Sequence, residues 1–145
     1  MRKSRRVLPL FVLALIPFHR ISAWAQDVII VTNKAVPTNR VTTAEIRDLF
    51  TGASTRLSDG TRVTPVVLKG GPAHEVFLKN YMGRNAEEFR TLWRKLVFTG
   101  QGSMPREFSS EAAMLQYVAV TPGAIGYASR VTDADDVKVL SVVTK

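Results

Sequence analysis

The chain has 145 residues, of which twenty are basic, twelve are acidic and two are histidine, and it contains no cysteine. Without cysteine it cannot form disulfides, a His/Cys zinc site or a cysteine nucleophile. The net charge of +8 and the isoelectric point of about 10.3 suggest a nucleic-acid partner. However, five basic residues fall within the first twenty positions, and the rest of the chain has fifteen basic and twelve acidic residues, a charge of +3, without a Lys/Arg-rich run. We therefore expect no nucleic-acid binding.

The N-terminal segment has the three-part pattern of a secretory signal peptide. A basic stretch, MRKSRR, precedes an apolar stretch at residues 7–18, and Ala23 and Ala25 occupy the small-residue positions of a cleavage site. The apolar stretch is too short for a membrane-spanning helix. We therefore expect residues 1–25 to be removed and residues 26–145 to form one periplasmic or secreted domain, with no stable membrane anchor after cleavage.

The remainder of the chain alternates between strand and helix patterns. In chain order, we predict a buried strand at 27–33, a loop at 34–40, a helix at 42–52, a turn at 59–60 leading into a strand that ends at 68, helices at 73–82 and 85–98, a loop at 99–107, a helix from about 110 to 120, a strand after the turn at 121–123, and a final strand at 137–143. Pro65 suggests that its strand is an edge strand or carries a bulge. The alternation predicts an α/β fold with a small mixed sheet covered by helices.

Two helices have clear sequence signals at their starts and along their buried faces. Thr42 with Glu45, and Asn85 with Glu88, have the spacing of capping boxes. The apolar side chains that recur at helical spacing, and that we therefore place in the core, are Ile46, Leu49 and Phe50; Phe77, Leu78, Tyr81 and Met82; Phe89, Leu92, Trp93, Leu96 and Val97; and Met114, Tyr117 and Val118. Trp93 is accordingly interpreted as a core residue and not as a stacking platform.

The first candidate site is the turn that begins at Lys69. Lys69, Gly70 and Gly71 lie between a predicted strand and a helix start, where backbone N–H groups and the helix dipole can bind an anion. The same residues also suit a tight turn with no ligand, and Pro72 supplies no N–H. Ala73 and His74 follow in the first helical turn; we predict that His74 is a surface side chain and not a catalyst.

The second candidate site is the glycine-flanked loop at residues 98–103, which contains Gly100, Gln101, Gly102 and Ser103. Such a loop can line a cleft or merely reverse the chain, and the sequence favours neither. Asp133, Asp135 and Asp136 lack the spacing of a calcium loop, so we predict a solvated turn and no metal site. We expect no cofactor. After His19 leaves with the signal peptide, His74 is the last histidine, which leaves little for a catalytic triad, and we expect no enzyme activity.

Four segments, AEIRDLFTG, DGTRVTPVV, FTGQGSMP and TPGAIGYAS, occur in an order that resembles a known family. The chain is similar to short members of the phosphate-binding-protein family of ABC transporters. The resemblance spans residues 28–140 and implies one lobe of a type 2 periplasmic binding-protein fold. It also implies that the protein binds a solute without catalysing a reaction. The implied solute is phosphate or another small oxyanion, bound for uptake or sensing. It implies ligand contacts from Lys69, Gly70, Gly71, Ala73, His74, Gly100, Gln101, Gly102 and Ser103.

The chain departs from this family in two ways. Two-lobed members hold phosphate with an arginine and a Ser-Gly-Thr turn, whereas this chain has Lys69 followed by Gly-Gly-Pro-Ala-His. The guanidinium fork and the hydroxyls are therefore missing. The chain also supplies one lobe, which offers half of a cleft. The alternative function is a protein-interaction module, derived from a solute-binding lobe, that docks on an envelope transporter, receptor or sensor.

Overall fold

The computed structural model describes residues 27–144, and the predicted signal peptide lies outside these residues. The elements are β1 (Ile29–Thr32), β2 (Arg40–Thr42), α1 (Thr43–Phe50), β3 (Thr64–Leu68), α2 (Pro72–Phe77), a π-helical turn (Leu78–Met82), α3 (Ala86–Phe98), β4 (Arg106–Phe108), α4 (Glu111–Val120), β5 (Ala124–Ala128), a 3-10 turn (Asp133–Asp135) and β6 (Lys138–Val143). None of the helices in this part of the chain is long and apolar enough to cross a bilayer.

Within residues 27–144, six strands form one mixed sheet in the order β2-β6-β1-β5-β3-β4. Strand β1 is antiparallel to both of its neighbours, β5 and β6. The pairs β5–β3, β3–β4 and β6–β2 are all parallel. Among these strands, β1 therefore runs in one direction and the other five run in the opposite direction. This architecture confirms the predicted α/β class with a small mixed sheet.

The central position of β1 explains its continuous apolar sequence. Ile30 and Val31 point to opposite faces of the sheet, and both are fully buried. Of the two alternatives predicted from Pro65, the edge strand is wrong, because β3 lies between β5 and β4. Pro65 sits near the start of β3, opposite Ile125, where the pairing with β5 has only two residue partners and ends. The missing N–H of proline is therefore tolerated inside the sheet.

Two short strands were not predicted from the sequence. β2 and β4 have three residues each: β2 begins at the end of the predicted loop at 34–40 and runs to the first residue of the predicted helix, and β4 begins in the predicted loop at 99–107. Such short strands form because a longer neighbour supplies the hydrogen-bonding partner: β4 pairs with β3 from Val66 opposite Arg106 to Leu68 opposite Phe108. The pairing is a long-range interaction, so local sequence carries little signal for it. β4 matters for function because it brings its C-terminal residues beside those of β3.

Helices cover both faces of the sheet. On one face, α4 packs over the middle strands, with Met114 fully buried and in contact distance of Gly126. On the other face, the rings of Phe50 from α1 and Phe77 from α2 lie 6.1 Å and 3.9 Å from the ring of Tyr127 in β5. Because neighbouring strand residues point to opposite faces, Gly126 packs against α4 on one face of β5 and Tyr127 packs against α1 and α2 on the other.

The helix starts agree with the sequence signals. Thr42 and Asn85 form the predicted capping boxes with Glu45 and Glu88. Phe89 and Trp93 are buried, so the interpretation of Trp93 as a core residue is confirmed. The prediction for Val97 is wrong, since its side chain is 47% exposed. The stripe that faces the core passes through positions 89, 93 and 96, and Val97 lies beside it at the end of α3.

Candidate functional site

The parallel strands β3 and β4 end at the same edge of the sheet, and each is followed directly by a helix. Lys69 to Gly71 connect β3 to α2, and Ser109 and Ser110 connect β4 to α4. The backbone N–H of Lys69 donates to the carbonyl of Phe108 at 2.9 Å, which holds the two connections side by side. In open α/β sheets, the crevice outside the carboxyl ends of strands is the usual ligand position.

Between the two connections lies a cavity of about 290 Å³, which we call the strand-end cavity. Its lining residues are Leu68, Gly70, Gly71, Pro72, Ala73, Ser109, Ser110 and Glu111. Three of the residues predicted to bind a ligand, Gly70, Gly71 and Ala73, therefore line one cavity. The serines at its other wall were missed: the helix start near Ser110 was readable from the sequence, but its position beside Gly71 depends on the pairing of β4 with β3.

The backbone of the cavity wall offers hydrogen-bond donors. Gly71 is the N-cap residue of α2 and has φ of +94°, a conformation that glycine adopts without steric cost. No described residue accepts a hydrogen bond from the N–H groups of Gly70 and Gly71. On the opposite wall, the hydroxyl of Ser110 accepts from the N–H of Ala113 at 3.1 Å and so caps α4. The cavity therefore combines unused amides with the positive ends of two helices.

Charged groups at this cavity are of both signs. Lys69 is exposed, precedes the lining residue Gly70 and supplies a single ammonium group, but it is not itself among the lining residues. Glu111 is among the lining residues, and its carboxylate accepts hydrogen bonds from the N–H and the hydroxyl of Ser129, at the end of β5. These bonds hold the carboxylate on the β5 side. The charge near the cavity is thus close to balanced, and backbone amides are its main attraction for an anion.

His74 lies in the core beside this cavity, so our prediction of a surface side chain is wrong. It is only 4% exposed, and its Nδ1 lies 2.5 Å from the hydroxyl oxygen of Tyr127. The first turn of α2 faces the sheet at this position, which buries the imidazole. Burial lowers the pKa of His74, and the positive charge of Arg90 lowers it further. The imidazole is therefore neutral, and because it is buried and hydrogen-bonded in the core, His74 is not among the cavity-lining residues.

The loop at residues 100–103 lies at the other end of the sheet. Gln101, Gly102 and Ser103 line a second cavity, of about 430 Å³, together with the first residues of β3 and β4. Gly100 is exposed and follows α3 in a turn. The structure thus does not bring the two predicted groups of ligand-binding residues together. Of the two readings of this loop, its position at the cavity wall favours the one in which it lines a cleft.

The acidic group at residues 133–136 forms a solvated turn, as predicted. The carboxylate of Asp135 accepts hydrogen bonds from the N–H and the hydroxyl of Thr132, at 2.6 Å and 3.0 Å. Asp136 pairs with Lys34. Among residues 27–144, no group of three or more His, Cys, Asp or Glu residues is arranged to hold a metal ion.

Solved structures of phosphate-binding proteins share this architecture. The chain is similar to a candidate phosphate ABC transporter substrate-binding protein from Clostridium perfringens, solved with bound phosphate, at 20% identity and a TM-score of 0.61. An ABC-type phosphate transport receptor from Vibrio cholerae matches at 15% identity and a TM-score of 0.62, and PstS from Borrelia burgdorferi at 12% and 0.61. The chain has the fold of one lobe of these proteins.

The coverage of these matches is unequal. Each match includes 80% of this chain, but only 44%, 46% and 47% of the three solved chains. The chain therefore spans less than half the length of these structural relatives. No protein-family profile matches the sequence, and no curated protein sequence matches it. At these identities the likeness establishes the fold, and the function has to be argued from the site.

Proposed function

We propose that the chain is a periplasmic or secreted solute-binding lobe without enzymatic activity, which receives a small oxyanion such as phosphate in the strand-end cavity. The observation that carries this proposal is the meeting of two strand-to-helix connections at one edge of the sheet, where Gly70 and Gly71, whose N–H groups donate to no described residue, line a cavity of about 290 Å³. Backbone amides at a helix start bind anions without requiring a particular side chain.

The same features set the expected strength of binding. Lys69 contributes a point charge in place of a bidentate guanidinium, and the carboxylate of Glu111 opposes an anion from the far wall. One lobe covers one side of a ligand, whereas tight small-molecule sites usually bury most of the ligand surface. We therefore propose weak binding by the isolated chain, and tighter binding when a second lobe, from another protein or another copy, closes over the cavity.

Thermal unfolding in the presence of oxyanions tests this proposal. A ligand that binds only the folded state raises the melting temperature, and with a Kd of about 1 mM, roughly 10 mM phosphate would add about 1.4 kcal/mol to the free energy of unfolding. The chain from Gln26 onwards should therefore melt several degrees higher in phosphate than in chloride at equal ionic strength. The absence of any shift with phosphate, sulfate or arsenate would refute oxyanion binding.

A matched pair of lysine variants tests whether the rise in melting temperature comes from phosphate bound at the strand-end cavity. Lys69→Ala should reduce or abolish the phosphate shift, because this exposed, positively charged residue directly precedes the lining residue Gly70. Lys79→Ala serves as the control, since this exposed lysine follows α2 at the π-helical turn and lines a different groove. Equal losses in the two variants would indicate nonspecific charge attraction in place of a site.

A second candidate function is a protein-interaction module that docks on an envelope transporter, receptor or sensor. It is favoured by the presence of Glu111, a carboxylate, among the residues that line the strand-end cavity. The two functions are distinguished by affinity capture from an envelope extract. Recovery of one stoichiometric partner without added phosphate, together with no melting shift in phosphate, would select the second function.

A further inference from the structure

The second cavity, which we call the strand-start cavity, lies at the opposite end of the sheet from the proposed oxyanion site. Its volume is about 430 Å³, within the range of small-molecule sites. The walls come from the loop after α1, the loop after α3, the first residues of β3 and β4, and the side chain of Tyr117 in α4. Several separate segments therefore converge on one concavity, and none of its lining residues lines the strand-end cavity.

The charge of this cavity differs from that of the strand-end cavity. Arg62 and Arg106 line it, and no acidic residue is among the lining residues. The ion pairs found in the described part of the chain join Lys34 to Asp136 and Glu87 to Arg90 and Arg94, so neither Arg62 nor Arg106 is paired with a described carboxylate. Two guanidinium groups without a carboxylate partner make the cavity attractive to an anion.

Aromatic and hydroxyl groups accompany the two arginines. The guanidinium carbon of Arg106 lies 5.0 Å from the centre of the Tyr117 ring, a cation–π distance that holds the guanidinium over the ring. The indole of Trp93 also lines the cavity, while its N–H is used by the carbonyl of Phe50 at 3.1 Å. Ser103 and Thr64 add hydroxyl groups to the walls. The lining thus has a cationic part and an aromatic part.

We propose that the strand-start cavity is a second ligand site, which binds a small organic carboxylate with a planar or apolar body. The carboxylate would be held by Arg62 and Arg106, whose guanidinium forks match its two oxygens. The body would lie against the partly buried ring of Tyr117. An inorganic oxyanion would use the arginines but leave the aromatic wall uncovered. This site is independent of the proposed oxyanion site, because the two cavities share no residue.

An NMR titration with benzoate tests this site directly. On the ¹⁵N-labelled chain from Gln26 onwards, benzoate should shift the amide signals of Gly102, Ser103 and Arg106 and leave those of Gly70 and Gly71 in place. Benzamide has the same shape without the charge and should bind at least tenfold more weakly. Phosphate should bind this cavity at least tenfold more weakly than benzoate does. No shift at residues 102–106, or equal binding of benzoate and benzamide, would overturn the proposal.

Arginine variants provide the second arm of the test. Arg62→Gln and Arg106→Gln should each weaken benzoate binding roughly tenfold or more, since a hydrogen bond to a charged group is lost. Arg94→Gln is the matched control, because Arg94 is an exposed arginine outside the cavity that approaches Glu87. Each arginine that is changed is exposed, so the variants should fold. Unchanged benzoate affinity in both cavity variants would contradict the site.

Discussion

The hydroxyl oxygen of Tyr127 lies 2.5 Å from Nδ1 of His74 and accepts a hydrogen bond from the N–H of Leu68 at 3.0 Å. One phenol group therefore links the middle of β5 to the last residue of β3 and to the first turn of α2. The ring of Phe77 stacks on the Tyr127 ring at a centroid distance of 3.9 Å. Together these contacts fix the position at which α2 begins, and thereby the shape of the strand-end cavity.

Replacing Tyr127 with phenylalanine should destabilise the protein although the ring is retained. The change removes the hydrogen-bond partner of two buried groups, the N–H of Leu68 and the imidazole of His74. A buried group left without a partner costs about 1–3 kcal/mol, and we expect a loss of that size in urea unfolding. Tyr117→Phe is the control, because the Tyr117 hydroxyl is only partly buried. Equal effects of the two variants would contradict this role.

The stability of the protein should fall between pH 7.5 and pH 5.5, and His74 should be the cause. Burial lowers the pKa of His74 below its ordinary value of 6.5, so the unfolded chain binds the proton more readily than the folded chain. The contribution of neutral His74 to the free energy of unfolding is therefore complete above about pH 6.5 and is lost as the pH falls below that value. Urea unfolding across this range should show that the free energy of unfolding falls with pH in the native chain and changes less in His74→Gln. Identical slopes would refute the assignment.

Gly126→Ala should destabilise the protein because α4 lies directly over β5 at this residue. A Cβ atom at position 126 would come within 2.8 Å of Sδ of Met114 and 3.1 Å of Cγ2 of Val66. Met114 can shift in part, so we expect a loss of about 1–3 kcal/mol, typical of an overpacked core. Gly70→Ala is the matched control, since a Cβ there meets no atom within 4 Å. A neutral Gly126→Ala variant would show that the α4 layer is loosely packed.

Features set by local interactions were predictable from the sequence. The capping boxes at Thr42 and Asn85 involve residues three positions apart. The continuous apolar sequence of β1 correctly predicted a buried strand. The segment TPGAIGYAS, which contains Gly126, was one of the four that carried the family resemblance, and the structure places Gly126 in close contact with Met114. For the capping boxes, the physical cause and the sequence signal lie within the same few residues.

Features that depend on long-range pairing were not predictable. β4 is a strand because β3 lies beside it, and only that pairing places Ser110 opposite Gly71. His74 is followed by an acidic residue and reads as a surface side chain, yet Tyr127, 53 positions away, gives it a buried partner. The two candidate sites, at 69–74 and 100–103, were both predicted to contact the ligand, whereas the strand directions place them at opposite ends of the sheet.

The most direct test of the central claim is a phosphate titration followed by ¹⁵N NMR. If the strand-end cavity binds the oxyanion, the amide signals of Gly70, Gly71, Ser109 and Ser110 should move with one saturating curve. The amide of Thr132, in a turn that lines neither cavity, serves as the internal reference. Saturable shifts at the four strand-end residues would support the account. No shift at those residues with phosphate, or shifts confined to residues 102–103, would contradict it.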